Sequence, residues 1–137
     1  MSAVSSSKKI QFGTDGWRGI IADDFTFANV CKATRAIASY LETAYSKDRP
    51  VLVAYDTRFL ADQFASTAAS VLADLGWTVK IVDRDCPTPV IAYNAKILNS
   101  AGALMYRQPQ PSSLLWHQVY PRLRWPCYAR NYRYNCR

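Results

Sequence analysis

The run Val51-Leu52-Val53-Ala54-Tyr55 restricts the fold more than any other stretch of the chain. An uninterrupted apolar segment of this length matches a strand buried on both faces, and such a strand needs a covering layer on each side of its sheet. The flanking sequence can supply those layers. From Thr26, the positions Phe27, Val30, Cys31, Thr34, Ile37, Ala38 and Leu41 recur at spacings of three and four. Thr26 is a suitable N-cap and no proline follows before Pro50, so a long amphipathic helix is predicted here. Beyond the run, Phe64, Ala68, Val71, Leu72 and Leu75 mark one face of a second helix that Gly76 should stop.

The pattern continues along the chain. Trp77 to Val82 reads as the next strand, and Pro87-Thr88-Pro89 offers a threonine N-cap with proline at the first position of a third helix reaching about Asn99. Ala101 to Met105 is a further strand. At the other end, Lys8 to Phe12 can form a short strand running into Gly13-Thr14-Asp15-Gly16-Trp17-Arg18-Gly19, where three glycines permit a tight loop. Strand and helix alternate at crossover spacings, which predicts an α/β protein, a three-layer αβα sandwich. Ligands of such sheets sit beyond the carboxyl ends of the strands. The Gly13–Gly19 loop, Asp56-Thr57-Arg58, the Cys86–Pro89 loop and the residues after Met105 are therefore expected to share one edge.

Composition matters most where it changes. Residues 1–105 hold all ten acidic residues and eleven of the seventeen Lys and Arg, a net charge of +1. Residues 106–137 contain no Asp, Glu, Lys or Gly but six Arg, so they supply +6 of the overall +7. Two regions follow: a folded domain over 1–105 and a basic, aromatic tail over 106–137, expected to be disordered. No apolar run approaches the roughly 20 residues of a membrane helix. The Ser-rich start lacks an apolar signal core, so a cytoplasmic protein without membrane partners is expected. Cys31, Cys86, Cys127 and Cys136 form no CxxC pair, which favours free thiols over a zinc site or a disulfide framework.

Four ordered segments carry a family resemblance: Phe12-Gly13-Thr14-Asp15-Gly16-Trp17-Arg18-Gly19, Val53-Ala54-Tyr55-Asp56-Thr57-Arg58, Pro87-Thr88-Pro89 and Ala101-Gly102-Ala103-Leu104-Met105. In order and spacing they resemble the first domain of the α-D-phosphohexomutases, the phosphoglucomutase and phosphomannomutase family. The resemblance implies one domain of four, with a mixed sheet that is incomplete at its C-terminal end. It implies an isomerase of carbohydrate metabolism that moves phosphate between the 1 and 6 positions of a hexose phosphate through a bound hexose bisphosphate. By the same resemblance the magnesium ligands, the sugar-binding loop and the distal phosphate site belong to the later domains. Mg2+ is thus implied for the intact enzyme, and no cofactor is expected to bind this chain.

The family continues with Thr-Ala-Ser-His-Asn-Pro, whose serine carries the phosphate. Here the residues are Tyr106-Arg107-Gln108-Pro109-Gln110-Pro111. The family hexapeptide can be written ACC GCC AGC CAC AAC CC plus any base; read one base earlier, from a preceding T, it becomes TAC CGC CAG CCA CAA CCC. That string encodes Tyr-Arg-Gln-Pro-Gln-Pro. Shifting the codons of Trp116-His117-Gln118-Val119 back in the same way yields Gly, Ile or Thr, then Lys or Arg, where the family has Gly-Ile-Lys. A frame shift after Met105 accounts for both matches. The expected result is a catalytically incompetent fragment without a catalytic nucleophile.

Supporting positions remain. By resemblance Thr14, Asp15, Gly16 and Arg18 support the phosphate loop, because a guanidinium fork and backbone N–H groups suit phosphate oxygens. Arg18 can equally pin its own loop through Asp15. Asp56 and Arg58 border the site, or else serve as a helix cap and a surface arginine. No metal ligands are identified, and His117, the single histidine, lies in the tail. The tail admits another reading, since arginines interleaved with Tyr120, Trp125, Tyr128, Tyr132 and Tyr134 resemble the groups with which single-stranded nucleic acids are bound. Four prolines and the frame-shift reconstruction argue against specific nucleic-acid binding and leave salt-sensitive, nonspecific adhesion to RNA. A third reading is a fragment that acts only through interaction.

Overall fold

The computed structural model describes residues 9–13 and 16–107, and the backbone pairing of residues 114–120 and 130–131. The elements in chain order are β1 (Phe12–Gly13), β2 (Gly16–Ile20), α1 (Phe27–Ala44), β3 (Val51–Tyr55), α2 (Ala61–Asp74), β4 (Val79–Ile81), α3 (Thr88–Ile97), β5 (Gly102–Arg107), β6 (Leu114–Tyr120) and β7 (Arg130–Asn131). They build one mixed sheet in the order β1-β2-β6-β5-β3-β4-β7. The centre is parallel, with β3 between β4 and β5. The other pairings of the named strands are antiparallel among the described residues.

Burial follows the pattern read from the sequence. Val51, Val53, Leu104 and Tyr106 point into a core shared with α1 and α2, whereas Leu52, Ala54, Ala103 and Met105 point into a second core under α3. Strand β3 is therefore buried on both faces, and the helices form two outer layers of an αβα sandwich. Helix α1 begins as its sequence requires, with the Thr26 Oγ1 accepting a hydrogen bond from the Asn29 N–H at 3.2 Å. Among the described residues no helix is long and apolar enough to cross a membrane. Cys31 and Cys86 are free of disulfides, while Cys127 and Cys136 lie outside the described residues.

The end of α2 shows why glycine stands at position 76. The Trp77 N–H reaches the Leu72 carbonyl at 3.0 Å and the Gly76 N–H reaches that of Ala73 at 2.9 Å, which is a Schellman motif. Gly76 takes φ of +83°, where a Cβ is strained. Gly76→Ala is expected to lower stability by about 1–2 kcal/mol, measured as a shift in the urea unfolding midpoint.

The core on the α1 and α2 side is built around aromatic rings. Trp17 stacks on Phe25 at 4.4 Å between centroids, Phe25 meets Phe64 edge-on at 5.0 Å, and Tyr106 closes on Phe25 at 6.5 Å. Tyr106 is fully buried. The residue just beyond Met105 is thus a core residue of β5. Arg107 ends β5, Leu114–Tyr120 forms β6 between β2 and β5, and Arg130–Asn131 forms β7 on β4. Leu-Leu-Trp-His-Gln-Val-Tyr is rich in residues that suit a pleated surface, and the open edges of β2 and β5 present unpaired N–H and C=O groups to it.

Candidate functional site

The glycine-rich segment is a hairpin and not a free loop. β1 pairs with β2 through Phe12 with Trp17 and Gly13 with Gly16, and the turn residues Thr14 and Asp15 lie outside the described residues. The segment reads as a loop because of its glycines, yet burial alternates along it: Trp17 and Gly19 are buried, Arg18 and Ile20 exposed. Gly19 is needed for a close approach, since a Cβ there would lie 2.9 Å from the Asp24 Cβ and 3.2 Å from the Phe25 nitrogen.

The register decides which part of the hairpin reaches the expected edge. β2 is antiparallel to β6, and β6 is antiparallel to β5, so β2 runs in the direction of β5. Arg18 and Arg107 share Trp116 as their Cα partner, and Trp17 and Tyr106 share His117. Arg18 thus stands level with the last residue of β5, two strand spacings or about 10 Å away. Gly16, at the start of β2, falls about level with Met105, inside β5. One shared edge for the whole glycine-rich segment is therefore corrected to an edge that only its last residues, Arg18 to Ile20, reach.

Side-chain direction then brings cations to one corner. Trp17 belongs to the core on the α1 and α2 side, so Arg18 faces the other way, toward the side of the sheet that α3 covers. Arg107 follows Tyr106 and faces the same side, where its Nη1 donates to the Thr88 Oγ1 at 3.3 Å. Thr88 is the first residue of α3, and its hydroxyl is engaged by Arg107 instead of capping the helix; the N-cap is Pro87, with no side-chain cap bond. The N-terminal end of this helix adds partial positive charge to the same corner. Sequence reasoning missed Arg107 and Thr88 as partners, although Arg107 is the first charged residue after an apolar strand.

Asp56 and Arg58 sit at the carboxyl end of β3. The Asp56 N–H donates to the Tyr106 carbonyl at 3.0 Å and so extends the β3–β5 ladder. Its carboxylate accepts from the Arg58 N–H at 3.1 Å and lies 3.4 Å from the Arg58 Nε. Asp56 caps no helix: α2 starts at Ala61, after Leu60 in the left-handed region, and the carboxylate shapes its own turn instead. The adjoining open cleft of about 580 Å³ carries both signs of charge, from Asp56, Arg58, Asp62, Arg84 and Asp85. Burial raises the pKa of the half-buried Tyr55 phenol, and the carboxylates of Asp62, Asp83 and Asp85 raise it further.

The corner formed by Arg18, Arg107 and the start of α3 suits an oxyanion, and phosphate in particular, through charge and N–H donors. It supplies no activated hydroxyl. Gln108, which stands where the resembled motif has its serine, lies outside the described residues. Magnesium takes oxygen ligands in octahedral array, commonly carboxylates and waters. Among the described residues no three of His, Cys, Asp and Glu converge, so these residues do not fit a magnesium ion and no step is derived through one.

Residues 9–107 match the phosphoglucomutase/phosphomannomutase alpha/beta/alpha domain I. The chain belongs to this family. The mutase domain is 35% identical over 101 residues to a phosphoglucosamine mutase of Carboxydothermus hydrogenoformans, covering 73% of this chain and 22% of that protein. It is 32% identical over 103 residues to a phosphoglucomutase of Staphylococcus aureus, covering 71% and 18%. A crystal structure from Thermus thermophilus, assigned as a phosphomannomutase, superposes with a TM-score of 0.77 at 35% identity, over 82% of this chain and 26% of that one. The mutase chain thus spans about a fifth of the length of such curated relatives. The match ends at Arg107, the last residue of β5, and so takes in Tyr106 and Arg107 beyond the boundary read from composition.

Proposed function

We propose that this chain is the first domain of a phosphohexomutase and that it holds one phosphate of a hexose phosphate or hexose bisphosphate at the Arg18–Arg107 corner. The observation that carries this reading is the register: two arginines from β2 and β5 stand level at the carboxyl edge, on the face where α3 begins. Gly16 shapes the hairpin that positions Arg18; Thr14 and Asp15 are assigned to phosphate-loop support on the family resemblance alone. Asp56 and Arg58 border the corner and fix the adjoining loop.

The chain itself does not turn over substrate. Phosphotransfer by this family's route needs a hydroxyl nucleophile, magnesium and cationic groups for the second phosphate, which the resemblance places at the missing serine and in the later domains. Backbone amide shifts on titration with glucose 1,6-bisphosphate test the binding half. Arg18, Thr88 and Arg107 are expected to respond, and their silence at millimolar ligand would sink the assignment. The catalytic half is tested in the same sample with glucose 1-phosphate, mannose 1-phosphate and glucosamine 1-phosphate plus Mg2+. No conversion above the uncatalysed rate is expected, and appreciable turnover would overturn this reading.

A further inference from the structure

A second cleft, of about 340 Å³, opens between α2 and β4 on the face of the sheet opposite Arg107. Ala73 of α2 and Val79 and Ile81 of β4 give it an apolar floor, and Tyr55 at the end of β3 borders it. Asp62 and Asp83 stand on its rim, both exposed. Among the described residues neither carboxylate has an ion-pair partner, and no Lys or Arg lines the cleft; Arg84 lines the neighbouring opening beside Arg58. The rim is one field of like charge: burial acts most on the Tyr55 phenol, and after it Asp62, Asp83 and Asp85 all raise the same pKa. Ser70 also lines the cleft, and its hydroxyl donates to the Ser66 carbonyl at 3.1 Å, which leaves its lone pairs to accept.

We propose that this cleft binds a small organic monocation, a protonated amine carried on a ring-sized apolar body. Its volume falls within the range of small-molecule sites, which begins at about 300 Å³. An apolar floor open to water favours a ligand that covers it, and a flat ring covers most area for least lost freedom. The lining sets the head group. Two carboxylates and a hydroxyl whose proton is engaged can only accept hydrogen bonds, so an ammonium with three donors complements them, whereas a phosphate or carboxylate is repelled. The preference is opposite in sign to that of the Arg18–Arg107 corner and independent of it.

The test follows backbone amide shifts of α2 and β4 in the full chain, at neutral pH and low salt, on titration with benzylammonium chloride. Saturable shifts confined to the cleft are expected, with a millimolar dissociation constant. Benzyl alcohol keeps the ring and removes the charge, and is expected to bind about tenfold more weakly. The n-butylammonium ion keeps the head on a straight stem, and is expected to bind about threefold more weakly. Asp62→Asn and Asp83→Asn should each weaken the amine about twofold to fivefold and leave the alcohol unchanged. Ser70→Leu, which fills the cleft from a half-buried helix position, should abolish binding of both. Benzyl alcohol or n-butylammonium binding as tightly as benzylammonium overturns the proposal, and so does the absence of saturable shifts. Should a variant lose its thermal melt, the three probes on the unaltered chain decide.

Discussion

Replacing Tyr106 by alanine is expected to destabilise the chain by about 3–5 kcal/mol, the range for deleting a fully buried aromatic ring from a packed core. The ring is fully enclosed and meets Phe25 edge-on, and a close-packed interior relaxes only in part into the space such a ring leaves. Urea unfolding of the alanine variant checks the magnitude. Tyr106→Phe is the control, expected to cost about 1 kcal/mol or less, because it keeps the ring and removes only the hydroxyl that faces Thr34. The phenol also carries a pH signature. Burial raises its pKa far above the ordinary 10.0, with the Thr34 hydroxyl acting weakly the other way. Its contribution to stability is therefore full below pH 10 and is lost progressively as pH rises above that value. Tyr106→Phe should flatten that part of the alkaline decline.

Phe25→Ala is expected to cost as much, about 3–5 kcal/mol, although Phe25 lies between β2 and α1, outside every named strand and helix, in an isolated bridge to Ile21. It is the hub of the aromatic cluster, touching Trp17, Phe64 and Tyr106. The Phe25 N–H donates to the Ile20 carbonyl at 2.9 Å, so the same residue ties the end of β2 to the start of α1. Because Phe25 and Tyr106 are in contact, the double alanine variant should depart from additivity by about 0.5–3 kcal/mol. Additive losses in that cycle would show that the two rings pack independently.

The elements legible in the sequence are those whose burial is local. The periodicity of residues 27–41 gave α1 and its Thr26 cap, the apolar run gave β3, and Gly76 gave the end of α2. β2 was hidden, because its buried positions are Trp17 and Gly19 and a glycine carries no hydrophobic signal. β6 was hidden by composition: a basic, proline-bearing tail drew attention away from seven residues with the bulk and branching of a strand. For the site, Arg18 and the pair Asp56 and Arg58 were legible as residue types beside a glycine-rich segment and at a strand end. Their arrangement was not, since the level placement of Arg18 with Arg107 depends on β6, which is nearly a hundred residues from β2 in the chain. Thr88 was read as a cap because its neighbours are prolines, and only the fold brings a guanidinium to its hydroxyl.

The position of β6 sets an order on the making of this protein. Among the described residues β2 joins the body of the sheet through β6, so β1 and β2 find that partner only when residues 114–120 have been made. Until then β3, α2, β4, α3 and β5 can assemble as a parallel unit from neighbours in sequence, while β2 waits for β6. Such distant closures are slow relative to local ones. A nascent chain halted before Leu114 would hold its N-terminal hairpin off the sheet, exposed to any other chain with an open strand edge.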